Sequence, residues 1–396
     1  MTVVSTTLCY PTPANPSLGV FVQRRLAEIA NLVPLHVVVP VPCFPILRPY
    51  QIEQPASSNQ FPPVRFEPMF YLPGALKSFD ANHYCSALLR AVDRLRSEGE
   101  KVDLIDAHFE WPDGVGAFHA ARHLGVPVVV TLRGKLVSQI QSASKRRRIR
   151  EMLLGADALI SVSSSLADLA RQVADKDLPV HVIPNGVDTA TFSYLPDRPR
   201  IRAELNWHGG ARYAVSVGHL QELKGFHQLV AMWPKVRERA GDVRLVLIGG
   251  PTGERAYERN LNAMVQAAQP AGSITLAGRQ NPERIAAMLN AADLFLLASR
   301  AEGWSNAISE SLACGCPVIA TEVGGNAEVM NHWGLGRLVP FGQWDSFAER
   351  IVAAFEEPWD RAKIAEFGGR RSWPRVAAEC VSVFDEIRGR ASGKKD

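Results

Sequence analysis

The sequence predicts an α/β protein with two doubly wound parallel sheets, each covered by helices on both faces. Short apolar or β-branched runs alternate with amphipathic stretches along nearly all of the 396 residues, which is typical of repeated strand–helix units. The runs are almost continuously apolar, as expected for parallel strands that are buried on both faces. Because one hydrophobic core rarely serves a chain of this length, we expect two domains.

The first series of strands predicts a Rossmann-like domain over about residues 1–195. Helical patterns between these strands include Val22–Ile29, His83–Glu98 and Ser164–Val173. A polar stretch rich in proline and arginine follows Asp188, and it indicates the passage to a second domain. The predicted strands are Thr2–Cys9, Leu35–Pro40, Leu104–Ala107, Val126–Leu132, Ala158–Val162 and Val180–Ile183.

A second series of strands predicts a similar domain over about residues 196–372. The closing segment, about 373–396, has a helical pattern at Ala377–Ile387 that we expect to pack back on the first domain. Open parallel sheets bind ligands where their strands end, so a cleft between the two carboxyl edges is the expected ligand site. The predicted strands are Tyr213–Val217, Val243–Ile248, Ile274–Ala277, Leu294–Ala298, Val318–Thr321 and Arg337–Val339.

Composition and charge exclude several classes of protein. Apolar residues make up 46% of the chain and charged residues 21%, which excludes a disordered or coiled-coil protein. The formal net charge of +4 is too small for a dedicated nucleic-acid-binding protein, so we expect no nucleic-acid partner.

The N-terminal region predicts neither a membrane span nor a signal peptide. The apolar stretch Leu35–Leu47 is interrupted by prolines and is too short to cross a bilayer. Residues 1–10 have no basic segment and no small-residue cleavage site, so we interpret them as a first strand. We therefore expect a cytoplasmic protein.

Cysteines and acidic pairs give no metal signature. The six cysteines are scattered, and we expect them to be reduced and mostly packed, because Cys314-x-Cys316 is one residue short of the usual zinc or redox spacing. The Asp175-Lys176-Asp177 segment follows a helical pattern, where a solvated turn is the better interpretation. Gly249-Gly250-x-x-Gly253 is only half of a dinucleotide fingerprint and is a weak signal for a redox cofactor.

The most informative stretch begins where a strand ends at Ala298. A loop carries Glu302, and a helix begins near Ser305, which is a suitable N-cap. The positive start of such a helix favours phosphate or sugar hydroxyls. Glu310 follows Glu302 by eight residues, which brings both carboxylates to nearly the same side. An isolated pair of this kind is more often two surface carboxylates, so its meaning depends on the surrounding motifs.

Ordered motifs along the chain resemble the retaining GT-B glycosyltransferases of family 4, the glycogen-synthase-like and exopolysaccharide-type enzymes. No single motif is decisive, but their order and spacing cover most of the chain. The resemblance implies two Rossmann-like domains that face each other across a cleft. The C-terminal motifs are Glu302-x7-Glu310, Gly315-x-Pro317-Val318-Ile319-Ala320-Thr321 and Gly324-Gly325-x-x-Glu328. The earlier motifs are Pro16-Ser17-Leu18-Gly19-Val20-Phe21-Val22, Asp106-Ala107-His108, Pro112-Asp113-Gly114, Thr131-Leu132-Arg133-Gly134, Ile183-Pro184-Asn185-Gly186-Val187-Asp188, Val217-Gly218-His219-Leu220 and Lys224-Gly225.

The resemblance also implies roles for single residues. Glu310 would bond the ribose hydroxyls, Lys224 would neutralise the diphosphate, and Glu302 would lie beside the transferred sugar. Arg279 is the candidate for a contact near the base. Gly19 would let the backbone approach the phosphates, because a Cβ there would obstruct it. The implied catalytic residues are His108, Glu302 and Lys224, the donor-binding residues are Gly19, His219, Lys224, Arg279, Gly303, Trp304, Ser305, Asn306 and Glu310, and the acceptor-side residues are His108 and Arg133.

One position departs from the family pattern. The family usually has an arginine where this chain has His219, so a fixed positive charge is replaced by one that depends on pH. Either the phosphates bind more weakly, or Arg133 or Arg279 compensates.

The predicted function is transfer of a sugar from a UDP- or GDP-sugar to a glycan or lipid-linked oligosaccharide, with retention of configuration, in polysaccharide biosynthesis. A lysine and a helix start can stabilise the leaving phosphate, so we expect no metal and no cofactor besides the donor. Two alternatives stay open: a sugar-nucleotide epimerase or hydrolase on a similar scaffold, and a non-catalytic subunit that binds nucleotide sugars.

A basic run over residues Lys145–Arg150 allows two interpretations. Such a run is usually a solvated helix face. It also fits a peripheral contact with an anionic membrane surface, on the inner face of the membrane, or with a lipid-linked diphosphate.

Overall fold

The computed structural model divides the chain into two compact units, and it describes residues 1–13, 15–44, 61–72, 74, 77–251, 253–268 and 271–392. The first unit comprises Met1–Asn185 and Trp373–Asp396, and the second comprises Gly186–Ser372. The end of the apolar stretch Leu35–Leu47 and residues 393–396 of the closing segment lie outside the described residues.

The first unit contains a parallel sheet of seven described strands in the order β3-β2-β1-β4-β5-β6-β7. Its apolar core includes Val3, Val37 and Val129 from three of these strands. The strands are β1 (Val3–Thr6), β2 (Leu35–Cys43), β3 (Val64–Phe70), β4 (Leu104–His108), β5 (Val128–Leu132), β6 (Ala158–Ser161) and β7 (Val180–Val182). The helices are α1 (Val20–Ala30), α2 (Asp80–Ser97), α3 (Val115–Leu124), α4 (Leu136–Gln139), α5 (Ala143–Gly155) and α6 (Ser164–Ala174).

The second unit repeats this plan with six described strands in the order β10-β9-β8-β11-β12-β13. Two apolar clusters cover the two faces of its sheet, and Val215 and Ala214 from one strand belong to different clusters. The strands are β8 (Arg212–Val217), β9 (Val243–Ile248), β10 (Ile274–Gly278), β11 (Leu294–Leu297), β12 (Val318–Glu322) and β13 (Gly336–Pro340). The helices are α7 (Arg198–Glu204), α8 (Phe226–Ala240), α9 (Arg255–Ala267), α10 (Pro282–Ala291), α11 (Asn306–Ala313), α12 (Asn326–Val329), α13 (Trp344–Glu356) and α14 (Arg361–Gly369).

The last helix, α15 (Trp373–Ser392), returns to the first unit. Its buried residues Trp373, Phe384 and Ile387 join the core that also contains Leu26 of α1. This apolar seam explains why the end of the chain belongs to the first unit.

The α/β architecture with two doubly wound parallel sheets is confirmed, and each predicted strand exists with ends within three residues of the expected ones. The sequence analysis missed β3, because Glu67 and Pro68 interrupt its apolar pattern. Glu67 is fully buried, and its two carboxylate oxygens accept hydrogen bonds from Arg90 and Arg94 at 3.0 Å. The ion pairs allow a charged residue inside the strand.

The units divide between residues 185 and 186, about ten residues earlier than the expected boundary at 195/196. The Val187 N–H donates to the carbonyl oxygen of Arg371 at 2.9 Å, and Val187 pairs with Ser372 in a parallel bridge. Val187 and Phe192 are buried in the core of the second unit. These contacts draw the stretch after Asn185 into the second unit.

In each sheet the strand order reverses once, at β1/β4 in the first unit and at β8/β11 in the second. Chains leave such neighbouring strands in opposite directions, so a crevice forms at the carboxyl ends of the two strands. Within the described residues no helix is both long and apolar enough to cross a bilayer. The six cysteines are free thiols, and Cys314, Cys316 and Cys380 are buried.

Candidate active site

Lys224 and Glu302 meet at the reversal point of the second sheet. Lys224 follows β8 and Glu302 follows β11, and Lys224 Nζ lies 2.7 Å from Glu302 Oε1. Ser299 Oγ donates to the same carboxylate oxygen at 2.7 Å. The side chains of Lys224 and Glu302 are only 21% and 9% exposed, so water screens this ion pair incompletely.

Glycines allow the loops around this pair to pack backbone against backbone. Gly225 has φ +69°, and a Cβ on it would lie 2.0 Å from the carbonyl oxygen of Ala298. A Cβ on Gly324 would lie 1.8 Å from the carbonyl oxygen of Glu302. Contacts this short exclude any side chain, so both glycines fix the loops that carry Lys224 and Glu302.

Helix α11 begins where the sequence predicts. Ser305 is its N-cap, and the Ser305 hydroxyl accepts a hydrogen bond from the Ile308 N–H at 3.4 Å. Glu310 is half-buried on this helix, and Gly303 and Asn306 are half-buried beside its start. One loop and one helix therefore carry five residues of the predicted donor site: Gly303, Trp304, Ser305, Asn306 and Glu310. The indole Nε1 of Trp304 is buried and has no hydrogen-bond partner among the described residues.

His219 and Arg279 complete the carboxyl edge on the side of β8, β9 and β10. A Cβ on Gly250 would lie 2.8 Å from Arg279 Nε, so the arginine lies directly over that glycine. The His219 ring has an exposed edge, yet the protein around it lowers its pKa, and Lys224 and Arg279 lower that pKa further. Three cationic or titratable side chains thus converge at this edge.

Four residues of the first unit form a buried polar chain at the carboxyl end of β4. Ser5 Oγ donates to Asp106 Oδ2 at 2.7 Å, and His108 Nε2 lies 3.2 Å from the same oxygen. The other ring nitrogen, His108 Nδ1, lies 3.4 Å from Arg133 Nε and 3.3 Å from Arg133 Nη2. Burial lowers the pKa of His108 to about 4, although Asp106 opposes this, so the ring is neutral at pH 7.

His108 is completely buried, and both of its ring nitrogens face protein atoms. The sequence analysis expects this histidine to line the acceptor side and to act in catalysis. In the structure its neighbour Arg133 is also nearly buried, with 8% of it exposed. Arg133 Nη1 donates to Asn185 Oδ1 at 2.9 Å, so the guanidinium is held from two sides.

The segment after His108 carries two buried carboxyl groups. Burial raises the pKa of Glu110 to about 7 and that of Asp113 to about 6. Glu110 Oε1 accepts a hydrogen bond from the Arg133 backbone N–H at 2.9 Å, whereas Glu110 Oε2 has no partner among the described residues. Phe109, between His108 and Glu110, has φ +73°, a strained conformation for a residue with a side chain.

Gly19 is the N-cap of α1 and packs closely against the chain after β1. It is buried in the first unit with φ +67°, and a Cβ on it would lie 2.0 Å from the carbonyl oxygen of Cys9. The space beside Gly19 is therefore filled by the chain after β1. Close packing within the first unit requires a glycine at this position, and its contact with the phosphates stays a prediction.

Sequence analysis missed Arg25 and Asn185 as residues that act on the polar chain. Arg25 is fully buried, and its positive charge contributes to the lowered pKa values of Arg133 and Asp106. An arginine on the apolar face of α1, in line with Val22 and Ile29, is a visible signal of such a role. Apart from its place in the turn motif after Ile183, the sequence gives no indication that Asn185 contacts Arg133.

The structure supports the interpretation of the acidic segment after α6 as a turn. Asp175 has φ +53° as the C-cap of α6, and the Asp177 side chain is 98% exposed. Among the described residues, no three His, Cys, Asp or Glu side chains come together in a way that could hold a metal ion.

Two Rossmann-like units are the architecture of the GT-B class of glycosyltransferases. Residues 33–191 match the family model described as Glycosyltransferase Family 4, and residues 197–371 match the one described as Glycosyl transferases group 1. The chain belongs to glycosyltransferase family 4.

Relatives named as glycosyltransferases or sugar-transfer synthases support the same assignment. The chain is 29% identical to the D-inositol 3-phosphate glycosyltransferase of Pseudarthrobacter chlorophenolicus over 81% of this chain and 78% of that protein. It is 23% identical to the N-acetyl-alpha-D-glucosaminyl L-malate synthase of Bacillus anthracis over 75% of this chain and 78% of that protein.

Solved structures share the fold at lower sequence identity. Sucrose-phosphate synthase from Thermosynechococcus elongatus has a TM-score of 0.81 at 20% identity and covers 98% of this chain and 100% of its own. HepE of Anabaena, solved in complex with UDP, has a TM-score of 0.75 at 19% identity and covers 98% of this chain and 100% of its own.

Proposed function

We propose that this glycosyltransferase moves a sugar from a nucleoside diphosphate sugar to a glycan or lipid-linked oligosaccharide, with retention of configuration and without a metal ion. The convergence of Lys224, His219, Arg279 and Glu302 at the carboxyl edge of the second sheet, beside its reversal point, carries the proposal. Cations at such a point suit a diphosphate, and the carboxylate suits sugar hydroxyls. UDP is the first candidate for the nucleotide, because HepE binds it, and GDP is the second.

The second unit supplies the groups that the departure of the sugar requires. Negative charge builds on the leaving phosphate as the bond to the sugar breaks. Lys224 and the positive start of α11 stabilise that charge, so a divalent cation has no necessary part. In the free protein Glu302 holds Lys224 in place, and it is then free to bond the sugar when Lys224 turns to the phosphate.

Residues around α11, together with Arg279, contact the ribose, the transferred sugar and the base of the donor. Glu310 accepts hydrogen bonds from the ribose hydroxyls, and the backbone from Gly303 to Asn306 contacts the transferred sugar. Arg279 lies near the base or the phosphates. Each of these assignments is chemically suited to its residue: carboxylates accept from hydroxyl pairs, and a guanidinium bonds phosphate or stacks on a base.

The first unit receives the acceptor, with Arg133 as its cationic contact. His108 then acts as a positioning residue, because it orients the Arg133 guanidinium through Nδ1. A glycan or glycolipid acceptor of polysaccharide biosynthesis is our first candidate. A small phosphorylated polyol is the second, since one relative is named for transfer to D-inositol 3-phosphate.

We also propose that the protein works in the cytoplasm and touches the inner face of an anionic membrane through Lys145–Arg150. On helix α5, Arg146, Arg147 and Arg150 are exposed to solvent. A lipid-linked acceptor would bring the reaction to such a surface.

Calorimetry with UDP and GDP tests the donor site directly. We expect Lys224→Met and Glu310→Ala each to weaken nucleotide binding by roughly tenfold to a hundredfold, the equivalent of one lost charge-assisted hydrogen bond. Lys235→Met is the matched control, because Lys235 pairs with exposed Asp345 in the same unit at 2.7 Å and faces no predicted ligand. Unchanged affinity in Lys224→Met would remove the donor site from this edge.

Product analysis separates transfer from the alternatives. A glycosyltransferase consumes the nucleotide sugar only when an acceptor is present, whereas an epimerase or hydrolase needs none. The coupling constant of the anomeric proton in the product reports whether configuration is retained. Tight nucleotide binding without turnover on any acceptor would instead support a non-catalytic binding subunit.

A further inference from the structure

A pocket with a volume of about 550 Å3 lies in the second unit, between the residues that lead into β13 and the segment from the end of α13 through α14. This volume is within the range of small-molecule sites. Because β13 begins at Gly336, the pocket lies at the amino edge of the parallel sheet, whereas Lys224 and Glu302 follow their strands and lie at the carboxyl edge. The five residues of β12 separate the two edges by roughly 15 Å, so the pocket is separate from the donor site.

The inner part of the pocket is apolar. Leu335 and Ile364, which are each 2% exposed, reach it from the core of the second unit. Two half-buried aromatic side chains, Trp359 and Phe367, also line it. The indole Nε1 of Trp359 donates to the carbonyl oxygen of Ala354 at 2.8 Å, so the ring is held in position before a ligand binds. An ordered ring loses little conformational entropy on binding.

Charged side chains around the opening of the pocket pair with one another. Each of the three carboxylates that line the pocket contacts a cation, and two of these cations, Lys363 and Arg370, line it as well. The side chains of Glu366 and Arg370 are 67% and 62% exposed, and their atoms Oε1 and Nη2 lie 2.7 Å apart. The opening therefore carries polar groups of both signs and little net charge. The three pairs are Glu357–Arg337, Asp360–Lys363 and Glu366–Arg370.

The apolar interior and the balanced charges at the opening restrict the chemistry of a ligand. An anion or a cation would find no opposite net charge, and a wholly apolar molecule would cover the charged groups without replacing their hydrogen bonds to water. A neutral sugar suits both parts of the pocket. Its C–H faces can pack on aromatic rings, and its hydroxyl groups can bond to the charged groups at the opening. Each carboxylate has several acceptor sites, so it can bond a hydroxyl and keep its ion pair.

We propose that this pocket is a second carbohydrate site, which binds a sugar residue of a neutral glycan chain without converting it. Trp359 and Phe367 pack against the apolar face of the sugar, and Asp360, Glu366 and Arg370 bond its hydroxyl groups. A chain bound here stays near the enzyme between rounds of transfer, because a second binding site raises its effective concentration. This last role rests on the proposed function, whereas the binding itself does not.

Titration with neutral hexasaccharides tests the pocket. Maltohexaose, cellohexaose and mannohexaose differ in linkage or in sugar, and saturation-transfer NMR measures the affinity for each. Trp359→Leu removes an aromatic ring from the pocket. Trp344→Leu is the matched control, because Trp344 is a half-buried tryptophan of the same unit that contacts Phe341 and does not line the pocket.

We expect the native protein to bind at least one of the three hexasaccharides. Trp359→Leu should lose about tenfold or more of that affinity, and Trp344→Leu less than about twofold, because only the first variant removes packing from the sugar. Equal loss in both variants, or binding of none of the three by the native protein, overturns the proposal. Analytical ultracentrifugation covers the other occupant: self-association that Trp359→Leu abolishes and Trp344→Leu retains would assign the pocket to a contact with a second copy of the chain, and would also overturn the proposal.

Glu366→Lys provides a second variant in case the loss of Trp359 impairs folding, since Trp359 packs against both apolar clusters of the unit. It removes a hydroxyl acceptor at the opening and places a second cation beside Arg370, so hexasaccharide affinity should fall about fivefold or more. Glu349→Lys is its control, because Glu349 is exposed on α13 and pairs with Arg239 outside the pocket.

Calorimetry with UDP on the same four variants reports the donor site independently. We expect UDP affinity within about twofold of the native value in all of them. Failure to bind hexasaccharides with normal UDP binding overturns this inference and leaves the proposed function intact. A loss of UDP affinity in Trp359→Leu and Glu366→Lys, but not in their controls, would show that the pocket is part of the donor site and would overturn the proposal of a second site.

Discussion

His219 is a titratable group where the family usually has a permanent cation. Burial, Lys224 and Arg279 all lower its pKa in the free protein, so the ring is neutral at pH 7. A bound diphosphate favours the imidazolium and raises the pKa in the complex. Donor binding therefore takes up a proton. Affinity should be highest below the free-protein pKa, fall as pH rises between the two pKa values, and be constant above the higher one.

We expect His219→Arg to flatten this pH profile and to tighten donor binding at alkaline pH, because arginine keeps its charge. Titration with UDP-glucose is the better measurement, since its phosphates do not change protonation between pH 6 and about 9, whereas the terminal phosphate of UDP does. Identical profiles for the native protein and the variant would exclude His219 as a phosphate ligand. Arg279 would then be the next residue to substitute.

Glu110 supports a prediction about stability. Its pKa in the folded protein, about 7, is above that of an exposed glutamate, so folding takes up a proton. The free energy of unfolding should therefore fall as pH rises from about 4.5 to about 7. Glu110→Gln cannot ionise, and its amide oxygen can still accept from the Arg133 N–H.

Urea unfolding at pH 5 and pH 8 measures this effect. We expect the native protein to lose roughly 1–3 kcal/mol more than Glu110→Gln between the two pH values. The difference between the proteins isolates Glu110, because all other groups titrate in both. Parallel pH dependences would show that Glu110 is ionised throughout.

At the scale of elements, periodicity predicts most of the fold. The apolar run Leu294–Ala298 forms a central strand that ends at Leu297, and the pattern Ser164–Val173 forms a helix that ends one residue later, at Ala174. Periodicity does not predict strand β3, because the strand contains the charged residue Glu67. Arginines from α2 neutralise Glu67 through a tertiary contact that the local sequence pattern does not reveal.

In the candidate site, too, the sequence predicts residues that are close along the chain better than it predicts contacts between distant segments. Glu302, Ser305 and Glu310 are close in sequence, so one loop and one helix carry them, and Ser305 caps that helix as predicted. The environment of His108 is different, because Arg133, which Asn185 holds in turn, reaches it from the loop after a later strand. Its complete burial follows from that packing, which spacing in the sequence does not reveal.

Ser305 links a helix cap to the donor site. Ser305→Ala removes the acceptor for the Ile308 N–H and should cost about 1 kcal/mol of stability. Because Glu310 stands on the same helix, we also expect UDP affinity to fall roughly fivefold. Asp360→Ala is the matched control, since Asp360 caps α14 in the same unit by accepting from the Lys363 N–H at 3.1 Å. If both variants lower UDP affinity equally, the effect is one of stability.

At the scale of the whole molecule, the proposed chemistry needs no divalent cation. We expect sugar transfer to continue in excess EDTA, because Lys224 and the start of α11 stabilise the leaving phosphate. The measurement is the initial rate with and without chelator. Loss of activity that manganese restores would contradict the metal-free mechanism.

Substitutions in the two units should affect nucleotide binding and sugar transfer differently. Substitutions at the carboxyl edge of the second unit, such as Lys224→Met, remove the donor's phosphate contact, so nucleotide affinity and turnover should fall together. Arg133→Gln in the first unit removes the proposed acceptor contact and leaves the donor residues untouched. We therefore expect UDP affinity within about twofold of the native value and a fall in turnover of roughly tenfold or more, since a lost charge-assisted hydrogen bond contributes about 1.5–3 kcal/mol.

Arg122→Gln is the matched control on the same unit, because its guanidinium contacts the Gly155 carbonyl oxygen and Phe118, away from β4. Thermal unfolding of both variants shows whether the first unit remains folded. If Arg133→Gln weakens UDP binding as strongly as Lys224→Met does, then Arg133 contacts the donor, and the assignment of acceptor to the first unit and donor to the second is wrong.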